Sequence, residues 1–171
     1  QKLKQGDPAD ESTELGCLIS EKAAIKVEDQ IQQTVQEGGT ILLGGKRNGA
    51  FVEATVIGNV PKTAAVASDM EIFGPVVPVI SFKTTEEAIE IANASKFGLC
   101  GCVFSANMKT AWNVASALEC GGAVINGASF FRSFEMPFGG YKYSGIGREG
   151  VASTFDEVTH LKTIVLKNIL D

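Results

Sequence analysis

Histidine is almost missing from this sequence, which has one His, one Trp and two Tyr among 171 residues. A lone imidazole argues against a histidine metal centre, and Cys100-Gly101-Cys102, with a single spacer, is too tight for the usual zinc motif. Four cysteines are too few to staple a chain of this length, so they read as reduced, mostly buried thiols of a cytoplasmic protein. No Lys/Arg cluster occurs, and 15 basic against 20 acidic residues give a net charge of −5, which argues against nucleic acid as a partner. The longest strongly apolar run, Val76–Ile80, is far too short to cross a membrane. Repeats and low-complexity segments are lacking. So is a basic-then-apolar leader, in line with a cytoplasmic location. The chain opens on Gln1 rather than Met and is expected to be a piece of a longer protein.

What is present suits a folded domain. Hydrophobic residues make up 44% and charged ones 20%, which excludes disorder for most of the chain. The length predicts a single domain over residues 1–171 that can bury a core without staples.

Residues 1–19 are polar and turn-rich. Ser20 is placed to cap a helix running to about Glu37, with Ala24, Val27, Ile31 and Val35 on one face and Gly38 as the stop. Thr40–Leu43 reads as a short strand and residues 51–57 as an irregular hairpin arm, while 58–70 carry no clear pattern. Val76–Phe82 reads as a buried strand. Thr84 and Glu87 have capping-box spacing ahead of a helix bearing Ala88, Ile91 and Ala92. Leu99–Phe104 reads as a second buried strand. Asn107 or Ser105 would cap a helix carrying Ala111, Val114, Ala115 and Leu118, and Ala123–Asn126 is a third strand. This order predicts β-α-β-α-β over residues 76–126, with all three strands parallel and buried on both faces. Ligands of such sheets sit beyond the carboxyl ends of the strands, which directs attention to the loop after Asn126.

That loop is distinctive. Residues 121–150 hold eight of the 19 glycines and four of the ten phenylalanines, Phe130, Phe131, Phe134 and Phe138. Glycine allows close backbone approach and aromatics wall a pocket; the alternative is a loop that plugs the core. Gly145-Ile146-Gly147-Arg148-Glu149-Gly150 fits G-x-G-x-x-G, but it follows a Gly/Tyr/Ser loop rather than an apolar strand, which argues against a phosphate cradle. Asn93-Ala94-Ser95 reads as a chance glycosylation triplet, and His160 as a surface or edge histidine. Glu71-Ile72-Phe73-Gly74-Pro75 places a carboxylate and an aromatic ring two residues apart, directly before a strand. Such a pair can serve a ribose diol and a flat ring together; alternatively Gly74-Pro75 makes a turn and Phe73 packs inward. Leu161–Leu166 closes the chain as a terminal strand.

Met70–Val76 resembles the E-I-F-G-P-V signature of the aldehyde dehydrogenase superfamily, and Pro137–Gly150 resembles its P-F-G-G-x-K-x-S-G-x-G-R-E-G. Between them, Asn93–Leu99 is similar to N-x-S-x-[YF]-G-L and Ala123–Asn126 to a strand ending in Asn. Upstream, Gly6-Asp7-Pro8 and Leu15–Ser20 resemble G-D-P and L-G-P-L-I-S. The resemblance implies an α/β fold, the C-terminal part of a three-layer parallel-sheet catalytic lobe, with residues 161–171 as an oligomerisation strand and a homo-oligomeric enzyme. It implies that Glu71 hydrogen-bonds the nicotinamide ribose of NAD or NADP and that Phe73 packs beside the nicotinamide. Phe138 would line the substrate tunnel, with Phe131 and Arg132 near it, and Glu149 would act as a proton relay. The implied chemistry is attack of a cysteine thiolate on an aldehyde, hydride transfer to NAD(P)+, and hydrolysis of the thioester to a carboxylic acid.

The departures matter as much. The family's catalytic Cys, base Glu, oxyanion Asn and dinucleotide-binding part precede the region matched here, so no residue of this chain maps onto them. None of the four cysteines stands in a nucleophile motif. Cys17 replaces a proline, and Met70 replaces an acidic residue. The chain alone is therefore expected to be inactive, its partner being the missing dinucleotide-binding part of the same enzyme; the alternative is a degenerate, non-catalytic binding or assembly module of the same ancestry. Gly127–Met136 looks most like branches that handle small polar or acidic aldehydes such as lactaldehyde or succinic semialdehyde. Arg132, the sole charged residue between Asn126 and Ser133, is a candidate for holding a substrate carboxylate; the alternative is an arginine pointing to solvent.

Overall fold

The computed structural model describes residues 3–168. The chain forms two compact units, Gln1–Lys96 and Phe97–Asp171, and each is described by itself.

In the first unit, helix α1 (Glu21–Gln36) starts where the extended Ser20 accepts a hydrogen bond from the Ala23 N–H at 3.1 Å. Losing such a cap costs about 1 kcal/mol. Gly38, at φ +117°, ends the helical region in a conformation that glycine adopts without strain. Ala24, Val27 and Ile31 are buried as the periodicity predicts, but the next buried position is Thr34 rather than Val35. Thr34 enters the core because its hydroxyl donates to the Gln30 carbonyl at 2.8 Å, so no polar atom is left unpaired. Val52, Ile57, Val60 and Ala64 complete this core. Strand β1 (Thr40–Leu43) is followed by the short hairpin β2 (Arg47–Asn48) and β3 (Phe51–Val52) and by β4 (Thr55–Gly58), which pairs antiparallel with β1. A 3-10 turn, Ala65–Ala67, lies in the stretch without a clear sequence pattern.

Strand β5 (Val76–Pro78) corrects two expectations. The strand ends at Pro78 instead of running to Phe82, and Val79 beyond it still bonds the neighbouring segment, donating to the Ile57 carbonyl at 2.8 Å and accepting from the Val60 N–H at 3.2 Å. Its parallel neighbour is β4, with Thr55 opposite Val76, rather than the strand near Cys100. The Gly74-Pro75 bend decides this by delivering the Pro75 carbonyl to the Thr55 N–H at 2.8 Å. Helix α2 (Thr85–Asn93) begins at the predicted cap: the Glu87 N–H donates to Thr84 Oγ1 at 3.2 Å, and the Glu87 carboxylate accepts from the Lys83 N–H at 2.8 Å.

The second unit opens with β6 (Phe97–Gly98). Strand β7 (Cys100–Val103), helix α3 (Met108–Ala117) and strand β8 (Gly122–Ile125) then form the predicted β-α-β, with β7 and β8 parallel and Val103 opposite Ile125. Asn107 is the cap of α3, accepting from the Thr110 N–H at 3.1 Å. The strand is not buried on both faces as expected. Gly101 and Val103 are half-buried, with Gly101 set against Leu118 just past α3, whereas Cys100 and Cys102 are exposed. The expectation of buried thiols fails for the same reason: Cys17, Cys100 and Cys102 are exposed, and Cys120 alone is partly covered. Strand β9 (Tyr141–Lys142) pairs antiparallel with β6. Helix α4 (Val151–Val158), which no sequence pattern above anticipates, follows Gly150. Leu161–Leu166, expected as a terminal strand, pairs with no strand among the described residues, and Leu161, Ile164, Val165 and Leu166 are exposed. Residues 169–171 of the expected 161–171 strand lie outside the described residues. Among the described residues no helix is long and apolar enough to cross a membrane.

Candidate active site

Two clusters carry the sequence-predicted residues, one in each unit. In the first unit, the loop Glu71–Pro75 is held from beneath by α1. Gln30 Nε2 donates to the Glu71 carbonyl at 3.0 Å, and Ile72 packs against the core. Gly74 sits so close to Val27 that a Cβ there would lie 2.8 Å from its methyl. Because Ile72 takes the inward position, Phe73 cannot, and its ring is 74% exposed. The inward-packing alternative for Phe73 is thereby corrected. Glu71 is also exposed, so a carboxylate and an aromatic face stand two residues apart on an anchored loop.

Asp69 fixes the stem of this loop. Its carboxylate accepts from Ser95 Oγ at 3.1 Å and from the Lys96 N–H at 3.0 Å, and it pairs with Lys96 Nζ at 3.3 Å. The Lys96 backbone donor, more than any other contact, holds the Asp69 carboxyl below the usual range. Neither Gln30 nor Asp69 is flagged by the sequence reading. Gln30 follows Val27 by three residues, which is the spacing that a search for helix neighbours of the loop would have found.

The glycine-rich stretch of the second unit packs largely on itself. A Cβ on Gly121 would strike the Gly139 carbonyl, one on Gly139 the Gly147 carbonyl, and one on Gly140 the Ser144 backbone. The Arg148 guanidinium donates to the Gly140 carbonyl at 3.2 Å and to the Gly147 carbonyl at 2.8 Å, and lies over the Tyr141 ring. The glycines of the G-x-G-x-x-G match have other local reasons: Gly145 and Gly150 sit at φ +145° and +141°, and a Cβ on Gly147 would lie 2.7 Å from the Glu157 carboxylate. Phe138 and Glu149 exchange both backbone hydrogen bonds, at 2.7 and 2.6 Å, so these two predicted residues are brought side by side. Arg132 stacks on Phe138 with its guanidinium carbon 3.6 Å from the ring centre. Phe131, Arg132 and Phe138 join Cys100, Ser129 and Gly122 around a recess of about 40 Å³. Glu149 is exposed and lies outside that recess. Cys120, at 3.1 Å from the Gly122 carbonyl, has a thiol that burial pushes up. No group of three or more His, Cys, Asp or Glu able to hold a metal occurs among the described residues.

A family model for the aldehyde dehydrogenase family matches residues 1–164. The chain belongs to this family. The aldehyde dehydrogenase signatures at Glu71–Pro75 and Pro137–Gly150 thus coincide with the two clusters just described. Lactaldehyde dehydrogenase of Methanococcus maripaludis is 43% identical over 169 residues, covering 99% of this chain and 36% of its own length. The structure of aldehyde dehydrogenase 21 from Physcomitrella patens, in complex with the reaction product succinate, superposes with a TM-score of 0.90 at 40% identity, over 98% of this chain and 34% of that one. Glyceraldehyde-3-phosphate dehydrogenase GapN from Methanocaldococcus jannaschii, complexed with NADP, gives 0.89 at 42% identity over 95% of this chain and 35% of that one. The chain thus spans about a third of the length of the relatives it matches.

Proposed function

We propose that this chain is the C-terminal portion of the catalytic domain of an NAD(P)-dependent aldehyde dehydrogenase, which oxidises an aldehyde to a carboxylic acid through a cysteine thioester. Both units belong to that one domain on this reading, because the family match runs through both. The proposal rests above all on the Glu71–Phe73 loop. An exposed apolar ring is costly in water and useful against a flat, partly hydrophobic partner, and the neighbouring carboxylate suits a ribose diol. The nicotinamide end of NAD or NADP fits this pair, and the NADP complex of the M. jannaschii relative supports the choice of cofactor. When bound, that cofactor accepts the hydride. Glu71 and Phe73 orient its nicotinamide end, and Ile72, Gly74 and Gln30 keep the loop from yielding.

Phe138, Phe131 and Arg132 form part of the aldehyde wall, and Glu149 relays a proton at the edge of that wall. The thiolate, the general base and the dinucleotide-binding part come from the remainder of the enzyme. A three-layer parallel-sheet lobe is the assembled architecture, and residues 161–171 extend the sheet of a second subunit in a homo-oligomer. The four free thiols support a reducing, cytoplasmic setting.

Incubation of the purified 171-residue chain with several aldehydes and NAD+ or NADP+, followed by absorbance of the reduced cofactor, tests the division of labour. Nucleophile, base and oxyanion donors must converge on one carbon, so no turnover is expected from this chain alone. Cofactor affinity should be weaker than about 1 mM, since one ring contact and one ribose contact cannot offset the entropy of immobilising the cofactor. Sustained turnover lost on mutating Cys100 or Cys102 would contradict the assignment.

A further inference from the structure

At the end of β8 a side chain replaces a rung of the sheet. The Asn126 N–H still donates to the Val103 carbonyl at 2.8 Å, but its backbone then turns into the left-handed region at φ +55°. Its side chain reaches back to β7's continuation: Oδ1 accepts from the Ser105 N–H at 2.8 Å, and Nδ2 donates to the Ser105 carbonyl at 3.0 Å. A primary amide offers the same acceptor and donor as a peptide unit. Ser105 is therefore satisfied as though β8 continued, while the chain itself departs. Ser105 Oγ in turn accepts from the N–H of Asn107, the cap of α3, at 3.1 Å. Two hydrogen bonds from one short side chain leave it no rotational freedom. Asparagine is also among the few residues with a Cβ that tolerate this backbone region.

We propose that Asn126 is a positioning residue that sets the direction in which residues 127–139 leave the sheet, and so the place of Arg132 and Phe138 at the aldehyde end of the site. Its consequence for catalysis rests on the reading of that loop as a substrate wall; the positioning itself does not.

Asn126→Gly keeps the backbone conformation and removes both bonds, and Asn126→Asp keeps the acceptor and loses the donor. In the 171-residue chain, the Phe138 ring, 3.6 Å from the Arg132 guanidinium carbon, should shift the Arg132 Nε–H signal upfield, so that this signal reports the loop's placement by NMR. Both variants should move this signal to the position of an unstacked arginine. They should also speed tryptic cleavage after Arg132 about tenfold, as expected for a loop that has lost one or two hydrogen bonds, while the helical circular dichroism is retained. An unchanged Arg132 signal and cleavage rate in a folded variant would overturn the proposal. An unfolded chain in both variants would also overturn it, because a positioning residue must be dispensable to the fold. In the intact enzyme, Asn126→Gly should raise KM for the aldehyde and leave KM for the cofactor unchanged. A released Arg132 with an unaltered aldehyde KM would sink the substrate-wall reading and leave the positioning role standing.

Discussion

Ile72 and Phe73 are neighbours that face opposite ways, and this division gives the loop both an anchor and a display surface. The same logic applies to Arg132, whose guanidinium face rests on Phe138. A guanidinium stacked by its face keeps its N–H edge for a carboxylate. In the intact enzyme Arg132→Leu should raise KM for an acidic aldehyde about tenfold, ~1.4 kcal/mol, and leave that for a neutral one nearly unchanged; equal effects on both would remove the carboxylate role. The cysteines make a second prediction at this scale. Timed alkylation with iodoacetamide, read by peptide mass spectrometry, should label Cys17, Cys100 and Cys102 before Cys120, because burial favours the neutral thiol of Cys120. Cys120 reacting first would contradict the environments described above.

Among the elements, those with caps and a full apolar period were legible in the sequence. Ser20, Thr84 and Asn107 start α1, α2 and α3 because each offers an oxygen to an N–H left unpaired in the first turn. Helix α4 escaped for the converse reason. Val151, Phe155 and Val158 have helical spacing, but Gly150 contributes no side-chain cap and the helix has only 8 residues. The two-residue strands β6 and β9 are too short for any period to show, and the choice of β4 as neighbour of β5 was set by a turn whose direction no pattern encodes. Burial was misjudged at β7 because an apolar run does not reveal whether one face or both will be covered. Of the candidate site, Glu71, Phe73 and Phe138 stand out through the motifs that resemble the family's, whereas Gln30 and Asp69 act through contacts distant in sequence.

Asp69 yields the prediction for this scale. Its folded-state carboxyl lies below the ordinary value of 3.8, so its contribution is present above that value and is lost as pH falls through the lower folded one. Asp69→Asn should therefore lower the melting temperature at neutral pH and converge with the unmodified chain in strong acid. A constant difference between the two melting curves at every pH would show that the carboxylate is not the cause.

On the scale of the whole molecule, the exposed apolar side chains need an account. Val151, Phe155 and Val158 on α4, and Leu161, Ile164, Val165 and Leu166 beyond it, lie open to solvent. Apolar surface on this scale marks a binding face. With a chain that matches only 36% of the M. maripaludis relative, the rest of such an enzyme and a second subunit are the proposed occupants. Deleting residues 161–171 from the full-length enzyme should reduce its light-scattering mass to one subunit. An unchanged oligomer would remove residues 161–171 from the proposed interface.

The central claim is that this chain supplies the nicotinamide and aldehyde contacts of a dehydrogenase whose nucleophile and nucleotide-binding part lie elsewhere. The most direct measurement joins the chain to the preceding part of the lactaldehyde dehydrogenase of M. maripaludis and follows aldehyde-dependent reduction of NAD+ or NADP+. The account predicts turnover by the chimera, with KM for the cofactor raised at least about tenfold by Glu71→Ala or Phe73→Ala. A folded chimera that reduces no cofactor, or one whose kinetics are indifferent to both substitutions, would contradict it.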